Sequence, residues 1–188
     1  MKTLKGTIAS LGSLLLLIVV TSCSKEETTT TENELELVSV KAKKETLESQ
    51  LKKVNRATMR YHSFEQAKKA GYADPYPFNP SIYVPNMGFH YINVGLIDGE
   101  FDMEKPEILL YVPNEQGQLK LVGVEYAVPK AISPTPPEGF VGDADHWDDN
   151  PNVAGGSWTL HAWIVEENPN GVFAEFNPNV PFSDPSDN

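Results

Sequence analysis

Three residues sit where their type disagrees with their neighbours. His90 interrupts "MGFHYIN", His161 interrupts "WTLHAWIV", and Glu125 interrupts "VGVEYAV", each an otherwise apolar or aromatic run of β-strand character. Side chains alternate between the two faces of an extended chain. His161 therefore shares a face with Thr159, Trp163 and Val165, and His90 with Gly88 and Ile92; strict alternation groups Glu125 with Leu119, Leu121, Gly123 and Ala127. A carboxylate on an apolar strand face is costly unless it is paired, hydrogen-bonded, protonated or bound to a metal. If the three strands neighbour one another, His90, Glu125 and His161 converge into a two-histidine, one-carboxylate set, which suits zinc or iron(II). The structural alternative is a polar pin, in which each imidazole donates to a main-chain carbonyl or to Glu125. Separations of 35 and 36 residues match no local motif, and the chain has no HExxH, no CxxC, no P-loop, no dinucleotide fingerprint and no serine elbow.

Residues that could wall such a site are Tyr91, Tyr126 and Trp163, beside the three polar residues in the sequence. A lid is offered by Lys130 to Gly156, a Pro-, Gly- and Asp-rich stretch that carries His146 and Trp147. Loops of that length inside a domain are usually functional or disordered. Its acids do not make a calcium loop, because Trp147 takes the third oxygen position of a DxDxDG pattern and no glycine follows in register. Three functions are open: a module binding a metal or small ligand, an interaction protein whose histidines only stitch the sheet, and a metal-dependent enzyme with Glu125 as base or ligand.

The elements that must position these residues begin at Glu45. Leu47, Leu51, Val54, Thr58 and Tyr61 form the stripe of an amphipathic helix, with Lys52, Lys53 and Arg56 on the other side. A second helix is expected from Ser63, with Gln66 at capping-box spacing and Gly71 as its stop. His62 falls between the two as a solvated or capping side chain. Four prolines between Tyr72 and Pro85 indicate an extended connector. Strands are expected at "MGFHYIN", "EILLYVP", "QLKLVGVEYAVP", "SWTLHAWIVEEN" and "VFAEF", the second and third joined as a hairpin through Asn114 to Gly117. The fold class is α+β: an amino-terminal helical segment on a single antiparallel sheet of four to six strands. A β-sandwich or barrel with an appended helix is the alternative, should the proline-rich stretches hide further strands.

Residues 1–22 read as a secretory leader, with Lys2 and Lys5 ahead of an apolar run from Leu14 to Val20 that is too short to span a bilayer. Cys23, the single cysteine, follows Val20, Thr21 and Ser22. That arrangement resembles the bacterial lipobox and implies acylation at Cys23 and membrane attachment through lipid, which two or three acyl chains make essentially permanent. No thiol is then left for a disulfide or a nucleophile. Residues 23–40 form an acidic tether poor in large apolar groups, and residues 41–188 one domain with room for a sizeable core. The formal net charge is −11, two units more negative once Lys2 and Lys5 leave with the leader. Such a surface repels nucleic acid and anionic lipid.

"NMGFHYINVGLIDGEFDMEKPEILLYVPNEQGQLKLVGVEYAVP" and "LHAWIVEENPNGVFAEFNPNV" together resemble the signature blocks of a family of secreted bacterial proteins and lipoproteins with no established activity. The family pattern runs GMGxHYxN, then a VEY strand, then HxWxWxxNPxGxFxxWNP. Asn86, Val165 and Phe176 depart from it. The resemblance implies that His90, Glu125 and His161 lie in the blocks that define the group. Cys-Ser-Lys-Glu-Glu also resembles an acidic surface-export signal of some Gram-negative lipoproteins, so the expected location is the outer membrane, facing the periplasm or the cell surface.

Overall fold

Thr46 opens the helical segment, its hydroxyl accepting the Ser49 backbone N–H at 3.2 Å, which satisfies one of the donors that every helix start leaves without an intrahelical partner. The computed structural model describes residues 45–72 and 83–185. The leader, Cys23, the tether and most of the proline-rich connector lie outside the described residues. Helix α1 spans Leu47–Thr58. Its expected stripe is the one that packs: Val54, Thr58 and Tyr61 are buried, with Leu47 and Leu51 half-buried against the same core. A 3-10 turn, Met59–His62, leads to helix α2, Phe64–Lys69, and leaves His62 exposed.

Ser63 occupies the N-cap of α2 but its side chain makes no capping hydrogen bond. The expected capping box is therefore replaced by main chain, Gln66 N–H donating to the Ser63 carbonyl at 2.9 Å. The stop at Gly71 is as expected. Gly71 has φ +104°, Tyr72 N–H reaches the Ala67 carbonyl at 3.1 Å and Gly71 N–H the Lys68 carbonyl at 3.0 Å, the paired bonds of a Schellman ending. The turn drives Tyr72 into the interior, where its hydroxyl donates to the Pro106 carbonyl at 2.6 Å.

Among the described residues five antiparallel strands form one sheet: β1 Phe89–Ile92, β2 Ile108–Pro113, β3 Leu119–Pro129, β4 Asp148–Asn150 and β5 Ser157–Ala162, in the spatial order β1-β2-β3-β5-β4. With the helices this is an α+β fold. The β2–β3 hairpin closes as expected, Gly117 N–H donating to the Asn114 carbonyl at 2.8 Å. Two strand expectations change. β5 ends at Ala162 because Ile164 N–H turns back to the Ala162 carbonyl, and "VFAEF" is not a strand. The fifth strand comes instead from the Lys130 to Gly156 stretch. Among the described residues no helix is long and apolar enough to cross a membrane.

Both faces of the sheet are covered, which is why β2 reads as an unbroken apolar run. The helices cover one: Val54, Tyr61, Ala67 and Tyr72 join Tyr91, Leu109, Tyr111, Leu121, Val124, Tyr126 and Leu160 in a single cluster. Phe64 meets Tyr91 and Tyr111 edge-on, at centroid distances of 4.5 and 5.1 Å. Fully burying side chains of this size stabilises by about 1.5–3 kcal/mol each. The other face holds Ile92, Ile108, Leu110, Val112, Val122, Ala127 and Trp163 under Val180.

Leu110 pairs with Gly123 and Tyr111 with Leu121, so Val122 is an extra residue in β3. This bulge breaks the strict alternation. Leu119 and Leu121 consequently pack on the helix side, and Glu125 and Ala127 belong to the opposite face, separating the acid from the leucines with which a regular strand would group it.

Candidate metal centre

Register places the three polar residues on the face away from the helices. Glu125 of β3 lies opposite His161 of β5 and, on its other side, opposite Ile108 of β2. His90 of β1 lies opposite Leu110. Directly opposed residues share a face, so the histidine of the outer strand reaches across β2 toward the acid. Gly88 permits that approach: its φ is +89° and a Cβ there would meet the Tyr111 carbonyl oxygen at 2.4 Å. Gly123 clears the neighbouring space, since a Cβ would crowd Cε3 of Trp163 at 3.1 Å. Trp163 then stacks on His161 with rings 14° apart and centroids 6.0 Å apart.

His90 Nε2 stands 3.5 Å from Glu125 Oε2, and His161 Nε2 stands 3.9 Å from the same oxygen. One ligand atom from each of the three lies within 4.8 Å of the other two. An ion held at about 2.0–2.1 Å from each donor would draw them to roughly 3.4 Å apart. The adjustment is about an ångström of side-chain movement. Glu125 and His161 are buried, and His90 keeps 18 % of its side chain exposed.

Burial first of all holds both imidazoles neutral, His90 at about 4 and His161 at about 3, against an ordinary 6.5. Repulsion that a protonated His161 would meet from a protonated His90 or His146 lowers it further. Burial likewise lifts Glu125 to about 8 from 4.5; the Thr159 hydroxyl hydrogen-bonded to it opposes the rise, while Glu107, Glu175 and Asp148 add to it. At neutral pH the trio is two neutral imidazoles and a mostly protonated acid. The short His–Glu distances are therefore not ion pairs. Nor do they satisfy the groups: Glu125 Oε2, both nitrogens of His161 and Nδ1 of His90 have no hydrogen-bond partner among the described residues. The Gly88 carbonyl beside His90 favours its charged form. Each buried polar group left unpaired costs about 1–3 kcal/mol, and His161 makes neither of the bonds that the polar pin expected as the alternative requires of it.

The other expected site residues divide. Trp163 lies against His161. His146 sits near the trio, Nε2 4.0 Å from Asp148 Oδ2. Tyr91 and Tyr126 point to the helix side, where Tyr126 donates to the Met103 carbonyl at 2.8 Å. They do not wall the site, because residues adjacent to His90 and Glu125 along a strand must face the other way. Trp147 also turns to that side, edge-on to Phe101 at 5.5 Å, and borders a separate cleft of about 540 Å³ with Gln50, Phe140 and Asp145. The Lys130 to Gly156 stretch thus lends His146 and Asp148 to the trio and Trp147 to a different place.

Two acids are missing from the residues expected at the site. Glu107 is buried and lifted to about 8 by burial, its Oε2 accepting the Ala127 N–H at 3.0 Å. Asp148 becomes relevant only through the β4–β5 pairing that puts it opposite Thr159. The position of Glu107 at the head of an apolar strand was a usable signal. No protein-family model, curated protein or solved structure matches the chain.

Proposed function

We propose that the protein is a membrane-anchored, extracytoplasmic lipoprotein, acylated at Cys23, whose domain binds a divalent transition-metal ion through His90, Glu125 and His161. It groups on its two sequence blocks with the secreted bacterial proteins they resemble. The observation that carries the metal reading is the set of buried donor atoms without partners, Glu125 Oε2 and both His161 nitrogens above all. Neutral imidazoles are already in ligand form, and an incoming dication replaces the proton on Glu125. Two nitrogens and one oxygen suit zinc or iron(II), and three protein ligands leave further coordination positions for water or a small ligand.

The test is elemental analysis of detergent-solubilised protein bearing no histidine tag, with His161→Ala alongside. One zinc or iron per chain in the native protein, and a loss of at least about 100-fold in affinity in the variant, are expected. Native protein that neither carries nor takes up a stoichiometric metal, and whose melting zinc does not raise, refutes the reading. Metabolic labelling with palmitate, abolished by Cys23→Ser, tests the anchor.

A further inference from the structure

Beyond His161 the sheet continues into β4. Asp148 is directly opposite Thr159, and His161 is two residues along the same strand, the diagonal position at about 7–8 Å that long side chains span. His146 stands 4.0 Å from Asp148, 58 % exposed against 39 % for the acid. From the other flank, Trp163, stacked on His161, donates its Nε1 to the Ala174 carbonyl at 2.6 Å. The exposed Glu175 follows Ala174 directly in the chain. Behind these groups are the unpartnered atoms of Glu125 and His161, both more than nine-tenths buried.

Accepting the metal reading above, we infer that Asp148 and Glu175, with His146, form an outer cation-capture ring that receives the ion from solvent and hands it to His90, Glu125 and His161. The trio is buried, whereas the carboxylates of Asp148 and Glu175 reach solvent, where they can attract a dication over distance. Charges at the mouth of a cleft raise local ion concentration and association rates without adding to the final ligand set. Register sets the ring against the interior: Asp148 is opposite Thr159, and two residues along that strand His161 is opposite Glu125. Glu175 in turn is coupled to Asp148 and His146. A site equipped this way is built to exchange its ion, and the domain would act in metal acquisition or transfer rather than hold a permanent structural ion.

Stopped-flow loading of the full-length, detergent-solubilised protein with cobalt(II), read by its visible absorption, tests this. Asp148→Asn with Glu175→Gln should bind one cobalt with the same spectrum but load about tenfold more slowly at low ionic strength, and the salt dependence of the native rate should largely vanish. Glu115→Gln with Glu65→Gln, in the hairpin turn and on α2, removes the same two charges away from the site and should load at the native rate. If the double variant loads as fast as native protein, or its spectrum changes, the capture role is refuted while the metal reading stands. If native protein gives no cobalt spectrum, both fall together.

Discussion

Replacing Glu125 by glutamine should make the metal-free protein more stable while abolishing its metal site. The unfolded chain ionises this carboxyl with a pKa of 4.5, whereas the folded protein holds it protonated to about 8. A folded value raised in this way contributes stability below pH 4.5 that is lost as pH rises through 8. At pH 7, two and a half units above the unfolded value, folding forgoes about 3 kcal/mol, at 1.36 kcal/mol per unit. Above pH 8 the deficit levels off near 5 kcal/mol, an upper bound because the surroundings relax. Glutamine keeps the shape of the neutral acid and has no proton to lose. In chelator, E125Q should therefore exceed native protein by about 3 kcal/mol at pH 7, roughly 6–12 °C in Tm for a domain of this size, and match it near pH 4. Urea unfolding and thermal melts at pH 4, 7 and 9, each with and without zinc, make the measurement. A polar pin predicts the opposite sign at pH 7, since an amide cannot replace a carboxylate between two imidazoles. A variant no more stable than native protein at pH 7, or a gap that persists at pH 4, refutes the account of the site.

Metal uptake at pH 7 should release about 0.9 proton per ion, because Glu125 starts mostly protonated and both imidazoles start neutral; calorimetry in buffers of different ionisation enthalpy reads it, and zero release contradicts the assignment. The metal-free protein should be most stable between about pH 4.5 and 6.5. Below that window the unfolded chain protonates before His90 and His161, whose depressed values of about 4 and 3 leave their share of stability present above 6.5 and lost in acid. Within the window their gain with rising pH offsets the loss at Glu107 and Glu125, raised to about 8 from 4.5, and above it only that loss continues. Stability that climbs steadily to pH 8 by denaturant titration would be inconsistent with both. Gly88→Ala should cost upwards of about 2 kcal/mol, since it sets a Cβ 2.4 Å from a carbonyl oxygen at a φ of +89°; a melt within 2 °C of native would show the turn to be more pliable than its geometry indicates.

The fold was legible where one physical signal dominated. The helical stripe from Leu47 to Tyr61, the Gly71 stop and the Asn114 to Gly117 hairpin each follow from local periodicity or turn chemistry. So did the partnership of His90, Glu125 and His161, whose misfit with their neighbours is visible in the strand sequence alone. Tyr91 and Tyr126 were misassigned as walls because adjacency in sequence means opposite faces in a strand. β4 was not legible: three polar residues, Asp148–Asn150, have no strand pattern and pair only because β5 offers them an edge. The extent of β5 failed for a related reason, since "WIVEEN" keeps its alternation after the chain has left the sheet.

The extra residue at Val122 leaves β3 with two independent halves. Slack in the register is stored at that one place, so a chain shortened there could settle into ordinary pairing and still aim its acid at the imidazoles. Loss of Val124, only two steps on, has no such reservoir to draw upon and would turn the carboxyl toward the tyrosines under the helices. Tolerance to changes in length should thus switch from permissive to prohibitive within three residues, a boundary drawn by strand geometry rather than by any ligand.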